Sequence, residues 1–126
     1  MKIIIDTHIL LWWVVNDQRL PQKARRLIEN PKNNIIVSAA SIWEIAIKQA
    51  LGRIKVDLKE LEETIAENIF ESLPVKLHHA IQVSELPAHH SDPFDQMLVA
   101  QCLAETAYLL THDEQLQKYG KAIMVV

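Results

Sequence analysis

A chain of 126 residues fits one compact domain, spanning residues 1–126, and leaves no room for a second of ordinary size. Apolar residues make up 49% of it and charged residues 23%, with 2 glycines and 5 prolines, a composition that excludes a disordered or low-complexity chain. With 13 basic and 16 acidic residues the formal charge is −3, which also excludes a protein that grips nucleic acid by basic charge alone, unless several acids converge on one site and share a cation.

Ile3-Ile4-Ile5 is a β-branched run of the kind that fills a strand buried on both faces of a parallel sheet, and Asp6 stands where it stops. An acid so near the start does not suit a signal peptide, and no apolar run approaches the ~20 residues needed to cross a bilayer. A cytoplasmic protein without a membrane span is expected. Thr7 to Asn16 is too continuously apolar for a solvated helix face. Its Trp12-Trp13 pair suits core packing first, a homodimer or partner surface second and base stacking last. Pro21 to Asn30 reads as a polar helix with proline at its first position, and Ile35-Ile36-Val37 as a second strand.

Ser41 is expected to open a helix that runs to about Leu51 and is ended by Gly52. Asp57 starts another, on which Leu58, Leu61, Ile65 and Ile69 share one face. Leu73-Pro74-Val75 suits a short edge strand, where proline is tolerated. His78 to Leu86 is expected to be helical, and Asp92-Pro93 opens a helix to about Thr106. That helix carries the single cysteine, Cys102, which has no disulfide partner and reads as core. Tyr108-Leu109-Leu110 is a third buried strand, Asp113 to Tyr119 a short helix ended by Gly120, and Ala122 to Val126 a last strand. Strands separated by helices throughout predict an α/β domain with a mainly parallel sheet.

In open α/β sheets, sites form beyond the carboxyl ends of the strands. Asp6 follows the first strand directly, Glu44 lies one helical turn beyond the second, Asp113 follows the third, and Asp95 sits in the first turn of the helix opened by Asp92-Pro93. Carboxylates crowded together resist joint ionisation, so such a cluster implies raised pKa values or a bound cation. Oxygen ligands suit hard ions such as Mg²⁺ or Mn²⁺, which recruit phosphate oxygens, and hydrolysis of a phosphodiester is the chemistry this favours. Each acid also has a plainer role. Ser41-Ile-Trp-Glu44 has the form of a capping box, Asp95 suits a helix N-terminus, and Asp113 can cap the helix it begins. Asp6, at the tip of an isoleucine run, is the hardest to explain structurally.

Ile4-Ile5-Asp6-Thr7-His8, Val37-Ser-Ala-Ala-Ser-Ile-Trp-Glu44-Ile45, His90-Ser-Asp-Pro-Phe-Asp95 with Ala100-Gln101, and Leu110-Thr-His-Asp113 together resemble the PIN-domain ribonucleases, and most closely the VapC-like toxins of bacterial toxin-antitoxin pairs. The resemblance covers nearly the whole chain. It implies a three-layer α/β/α sandwich and endonucleolytic cleavage of RNA, leaving 5′-phosphate and 3′-hydroxyl ends. It further implies Mg²⁺ or Mn²⁺ held by Asp6, Glu44 and Asp95 with Asp113 in support, and a cognate antitoxin protein as partner. Gln96 departs from the pattern, since many relatives carry a basic residue straight after the matching aspartate.

Thr7, Ser38 and Thr111 place hydroxyls near the strand tips, where they suit either carboxylate orientation or turn and cap bonds. Lys48, Arg53 and Lys55 are possible phosphate contacts. The Leu58 to Ile69 face suits packing on the Glu44 helix, with an antitoxin peptide as the alternative. The histidines, His89-His90 included, lack the spacing of a zinc site, and His8 and His112 stand near Asp6 and Asp113. Two further readings have distinct signatures. A catalytically weak module of the same fold would bind metal, RNA or a partner while leaving RNA intact. A phosphatase of haloacid-dehalogenase or receiver type would take a phosphoryl group on Asp6, but Asp6-Thr7-His8 lacks the second acid that the former needs.

Overall fold

The computed structural model describes residues 1–89 and 91–126. In chain order these form β1 (Lys2–Ile5), α1 (Thr7–Val14), α2 (Gln22–Glu29), β2 (Asn34–Ser38), α3 (Ala39–Ala50), α4 (Leu58–Glu67) and β3 (Glu71–Leu73). There follow α5 (Leu77–Val83), α6 (Pro93–Ala104), β4 (Tyr108–Thr111), a 3₁₀ turn over Glu114–Tyr119, and β5 (Ile123–Val125). Among the described residues the sheet has five strands in the order β3-β2-β1-β4-β5, and every pairing is parallel.

The isoleucine run explains why β1 lies at the centre. Parallel strands covered on both faces need side chains that bury well in both directions. Ile3 and Ile5 pack with Leu110, α1, α2 and α4 on one face, whereas Ile4 packs with Ile36, Leu109 and α6 on the other. All three are fully buried, each worth about 1.5–3 kcal/mol of apolar transfer. Two cores on opposite faces of one sheet give the expected α/β/α layering. Cys102 lies in the second core, where burial pushes its thiol up to about 12, as a core residue should behave.

Several boundaries differ from the sequence reading, each for a local reason. The α3 helix begins at Ala39, not Ser41, because Ser38 at the end of β2 accepts the Ala40 amide at 3.0 Å and so caps the helix three residues earlier. The Ser41-Glu44 capping box therefore does not form, and the buried Ser41 hydroxyl has no partner among the described residues. The edge strand is Glu71–Leu73, with Pro74 just beyond it, where the missing amide costs no ladder bond. Pro21 is the N-cap of α2 and not its first residue. On α4, Leu61 and Ile65 are buried as expected, but the helix ends at Glu67 and Ile69 is 88% exposed beyond it. Gly52 ends α3 at φ +72°, a left-handed conformation natural to glycine. The Asp113 to Tyr119 helix is a 3₁₀ turn capped by Asp113.

Candidate active site

Strand order places a topological switch between β1 and β4, because the chain builds outward from β1 on one side through β2 and β3, then crosses to β4 and β5 on the other. With all strands parallel, β1, β2 and β4 end at the same edge of the sheet. A cavity of about 350 Å³ opens there, and its walls include Asp6, Glu44, Asp95 and Asp113 together with Thr7, His8, Trp12, Lys48, Asp92 and His112. Folding thus brings together four acids drawn from separate parts of the sequence, and adds Asp92.

Asp6 is 5% exposed and caps α1, accepting the Ile9 amide at 2.9 Å on Oδ1, while the Thr111 hydroxyl donates to Oδ2. Burial pushes its pKa above the usual carboxylate range, against the opposing pull of the Thr111 and Ile9 hydrogen bonds and of His8; the nearby Glu44 pushes in the same direction as burial. Glu44, also 5% exposed, accepts the Thr7 hydroxyl at 2.7 Å on Oε1 and lies 2.6 Å from Lys48 Nζ through Oε2. It sits well inside α3 and satisfies no amide at its own helix end, so the capping alternative fails for this residue. Asp113 does cap its turn, accepting the Gln115 amide at 2.9 Å, and its own amide donates to Thr111 Oγ1 at 3.0 Å. Asp92 caps α6 through the amides of Phe94 and Asp95, which sets Asp95 in the first turn facing the cavity.

Thr7 and Thr111 therefore orient carboxylates. Ser38 does not, since its hydroxyl donates to buried Gln101. The Trp43 and Phe94 rings meet edge to face at 5.0 Å, which ties together α3 and α6, the helices carrying Glu44 and Asp95. Lys48 lines the cavity, whereas Arg53 and Lys55 do not. Trp12 packs against the first core, as the sequence reading ranked first, and in addition lines the cavity. It is half-buried in the cavity wall, with His112 edge-on at 5.4 Å and the Arg19 guanidinium 5.6 Å from its ring. Its spacing on α1, at i+5 from Thr7 and i+4 from His8, was the available signal. Of the His89-His90 pair, His90 lies outside the described residues; His89 packs edge-on against Tyr119.

A second group of ligand-type side chains, His78, His79 and Glu105, lies apart from the cavity with its donor atoms within 4.8 Å of one another. Its hydrogen bonds argue for a clasp and not a metal centre. His79 Nδ1 accepts the Lys76 amide at 3.0 Å, so in the neutral ring Nε2 carries the proton and donates to Glu105 Oε2 at 2.9 Å. No lone pair is left on Nε2 for a cation.

The chain matches the PIN domain family over residues 3–122. It belongs to that family. A relative, "Ribonuclease VapC22" of Mycobacterium tuberculosis (strain ATCC 25618 / H37Rv), is 26% identical over 120 residues, covering 93% of this chain and 91% of its own. Among solved structures, the VapBC2 complex from Rickettsia felis bound to a promoter DNA fragment matches at a TM-score of 0.68 and 16% identity, covering 100% of this chain and 98% of its own. The DNA-bound VapBC complex from Salmonella typhimurium matches at 0.67 and 17%, with 100% and 97% covered. FitAcB from Neisseria gonorrhoeae matches at 0.66 and 15%, with 97% and 96% covered. These likenesses establish the PIN fold, five parallel strands between helical layers, as the architecture of this chain. No helix among the described residues is long and apolar enough to cross a membrane.

The donor set of the PIN cavity suits a hard divalent cation. Its carboxylates offer oxygen and no sulfur, and Asp6 is a buried acid whose charge water does not solvate and whose own hydrogen bonds leave its pKa raised. An adjacent cation would reverse that destabilisation.

Proposed function

We propose that this PIN-domain protein is a metal-dependent endoribonuclease, the toxin of a toxin-antitoxin pair, and that Asp6, Glu44, Asp95 and Asp113 hold the Mg²⁺ or Mn²⁺ it uses. The observation that carries the reading is the convergence of these four acids on one cavity at the switch point of the sheet. Family membership and a relative named as a ribonuclease support the substrate class.

A divalent ion bound there would supply Lewis-acid polarisation of a phosphate and acidification of a water. The chain's own part is to hold its carboxylates in place. The Thr7 hydroxyl fixes Glu44 and the Thr111 hydroxyl fixes Asp6, and both residues sit in rigid elements at strand ends. Trp12, His8 and His112 form the wall beside the acids, an aromatic surface of the kind on which a flanking base can rest.

The neighbours that are toxin-antitoxin complexes support an antitoxin partner for this chain and a paired assembly, and a cytoplasmic setting follows from that reading. Two surfaces fit it. An apolar groove of about 830 Å³ lies between α3 and α4, and Trp43 and Ile47 on α3, with Leu51 just past its end, form an exposed stripe at four-residue spacing.

The test is RNA cleavage by the purified chain in Mn²⁺, with and without EDTA, beside Asp6→Asn and Asp95→Asn checked for retained fold. Cleavage is expected to need the metal and to fall at least about 100-fold in each variant. Full cleavage by either variant, or by the parent in EDTA, removes the carboxylate mechanism. RNA that is bound yet stays intact at every metal concentration identifies a binding module instead.

A further inference from the structure

Glu44 reaches the cavity with both oxygens engaged, Oε1 by the Thr7 hydroxyl at 2.7 Å and Oε2 by the Lys48 ammonium at 2.6 Å. Among the described residues lining the cavity, Lys48 is the one lysine or arginine, and it shares that lining with Asp6, Glu44, Asp92, Asp95 and Asp113. The neighbouring helix α6 brings no second such cation, because Gln96 stands beside Asp95. A divalent ion on Glu44 Oε2 would compete with Lys48, because two cations within bonding distance of one carboxylate oxygen repel strongly.

Lys48 is built to give way. It lies in the last turn of α3, its side chain is 33% exposed while that of Glu44 is 7%, and a charged head on a flexible stem turns readily. It lines the cavity and is partly exposed, so a phosphodiester entering among the acids would meet its positive charge.

We propose that Lys48 is a movable cation. In the metal-free chain it neutralises Glu44. With a divalent ion held by the acids, the Lys48 ammonium would be free to reach a non-bridging phosphate oxygen of the RNA. The second half rests on the nuclease reading of the same cavity; the first does not. A lysine that served only as an i,i+4 helix pair would behave differently, since removing it would leave KM for RNA unchanged.

The experiment compares the parent chain with Lys48→Met and Lys48→Arg, all checked for fold by circular dichroism. Mn²⁺ affinity is measured by calorimetry without RNA, and kcat and KM for a single-stranded RNA are measured at saturating Mn²⁺. Lys48→Met is expected to bind Mn²⁺ about tenfold more tightly, because the competitor is gone, and to raise KM about tenfold with a smaller change in kcat, because the phosphate contact is gone. Lys48→Arg is expected to restore KM toward the parent. These opposite signs are what a merely structural lysine cannot give. Mn²⁺ affinity in Lys48→Met equal to or weaker than the parent's overturns the proposal, and so does tighter Mn²⁺ with an unchanged KM. A parent chain that cuts no RNA in Mn²⁺ overturns the nuclease reading and the phosphate half with it, while the Mn²⁺ titration still decides whether Lys48 guards Glu44.

Discussion

Asp6 does two things that work against each other. As the N-cap of α1 it stabilises the fold by satisfying the Ile9 amide, yet as a buried carboxylate it costs stability once it is ionised. The sign follows from the direction of its shift. An acid whose folded pKa lies above its unfolded one destabilises the fold at pH values above that raised pKa, and the penalty vanishes below the ordinary carboxylate range, where both states are protonated. Asparagine keeps the cap and loses the charge. In EDTA at neutral pH, Asp6→Asn should therefore melt higher than the parent, by roughly 4 °C for each kcal/mol recovered, as differential scanning calorimetry would show. A lower melting temperature would mean that the charge is already compensated in the metal-free fold. That Asp6 is no ordinary surface acid was legible in the sequence, because it stands at the tip of a buried strand. Its partner Thr111, 105 residues away, was named only as one of three hydroxyls near strand tips, since nothing local says which carboxylate a hydroxyl will meet.

At the scale of elements, α5 and α6 are joined by buried polar contacts that periodicity does not reveal. His79 is fully buried, takes the Lys76 amide at the start of α5, and reaches Glu105 at the end of α6. Gln101 spans the same region, accepting from Ser38 and donating to the Pro74 carbonyl at 3.2 Å. The His79 hydrogen bond, more than any other influence, holds Glu105 below the usual carboxylate range. A depressed acid contributes stability above its unfolded pKa and loses it as pH falls through the folded one. Glu105→Gln should consequently be less stable than the parent near neutrality, and its urea midpoint should fall less between pH 5 and 3, so that the two curves converge in acid. Parallel curves would show that Glu105 does not titrate with folding. Helix boundaries were legible where a cap is followed by proline or hydrophobic spacing, as at Asp92-Pro93 and Asp57. They were misplaced by three residues at α3, where Ser38 and Ser41 both had the form of a cap and the length of β2 decided between them.

For the whole molecule, the charge of −3 sets the terms of any encounter with RNA. Single-stranded nucleic acid binding that rests on cationic contacts weakens with salt at a slope of about −0.7 per phosphate neutralised, and this chain has few such contacts to offer near its cavity. A labelled RNA should thus show no measurable anisotropy change with the chain in EDTA even at low ionic strength, and should bind once Mn²⁺ is added to the parent. Equal binding in EDTA would place the RNA on another surface. The groove between α3 and α4 and the exposed α3 stripe lie on the same helix that carries Glu44 and Lys48. A partner seated there would touch the helix that forms one wall of the site.

The order of strands and helices, the burial of the isoleucine run and the placing of Asp6 and Asp113 just after strands were all determined by local sequence, because hydrophobic periodicity and the residue at a strand end are local properties. Those features were enough for the family. What tertiary structure alone decided is which groups meet: Lys48 on Glu44 Oε2, Thr111 on Asp6, Trp12 in the cavity wall, and the His79-Glu105 clasp. Such contacts depend on sheet register and on the angle at which each helix crosses the sheet, and these are set by the packing of both cores at once.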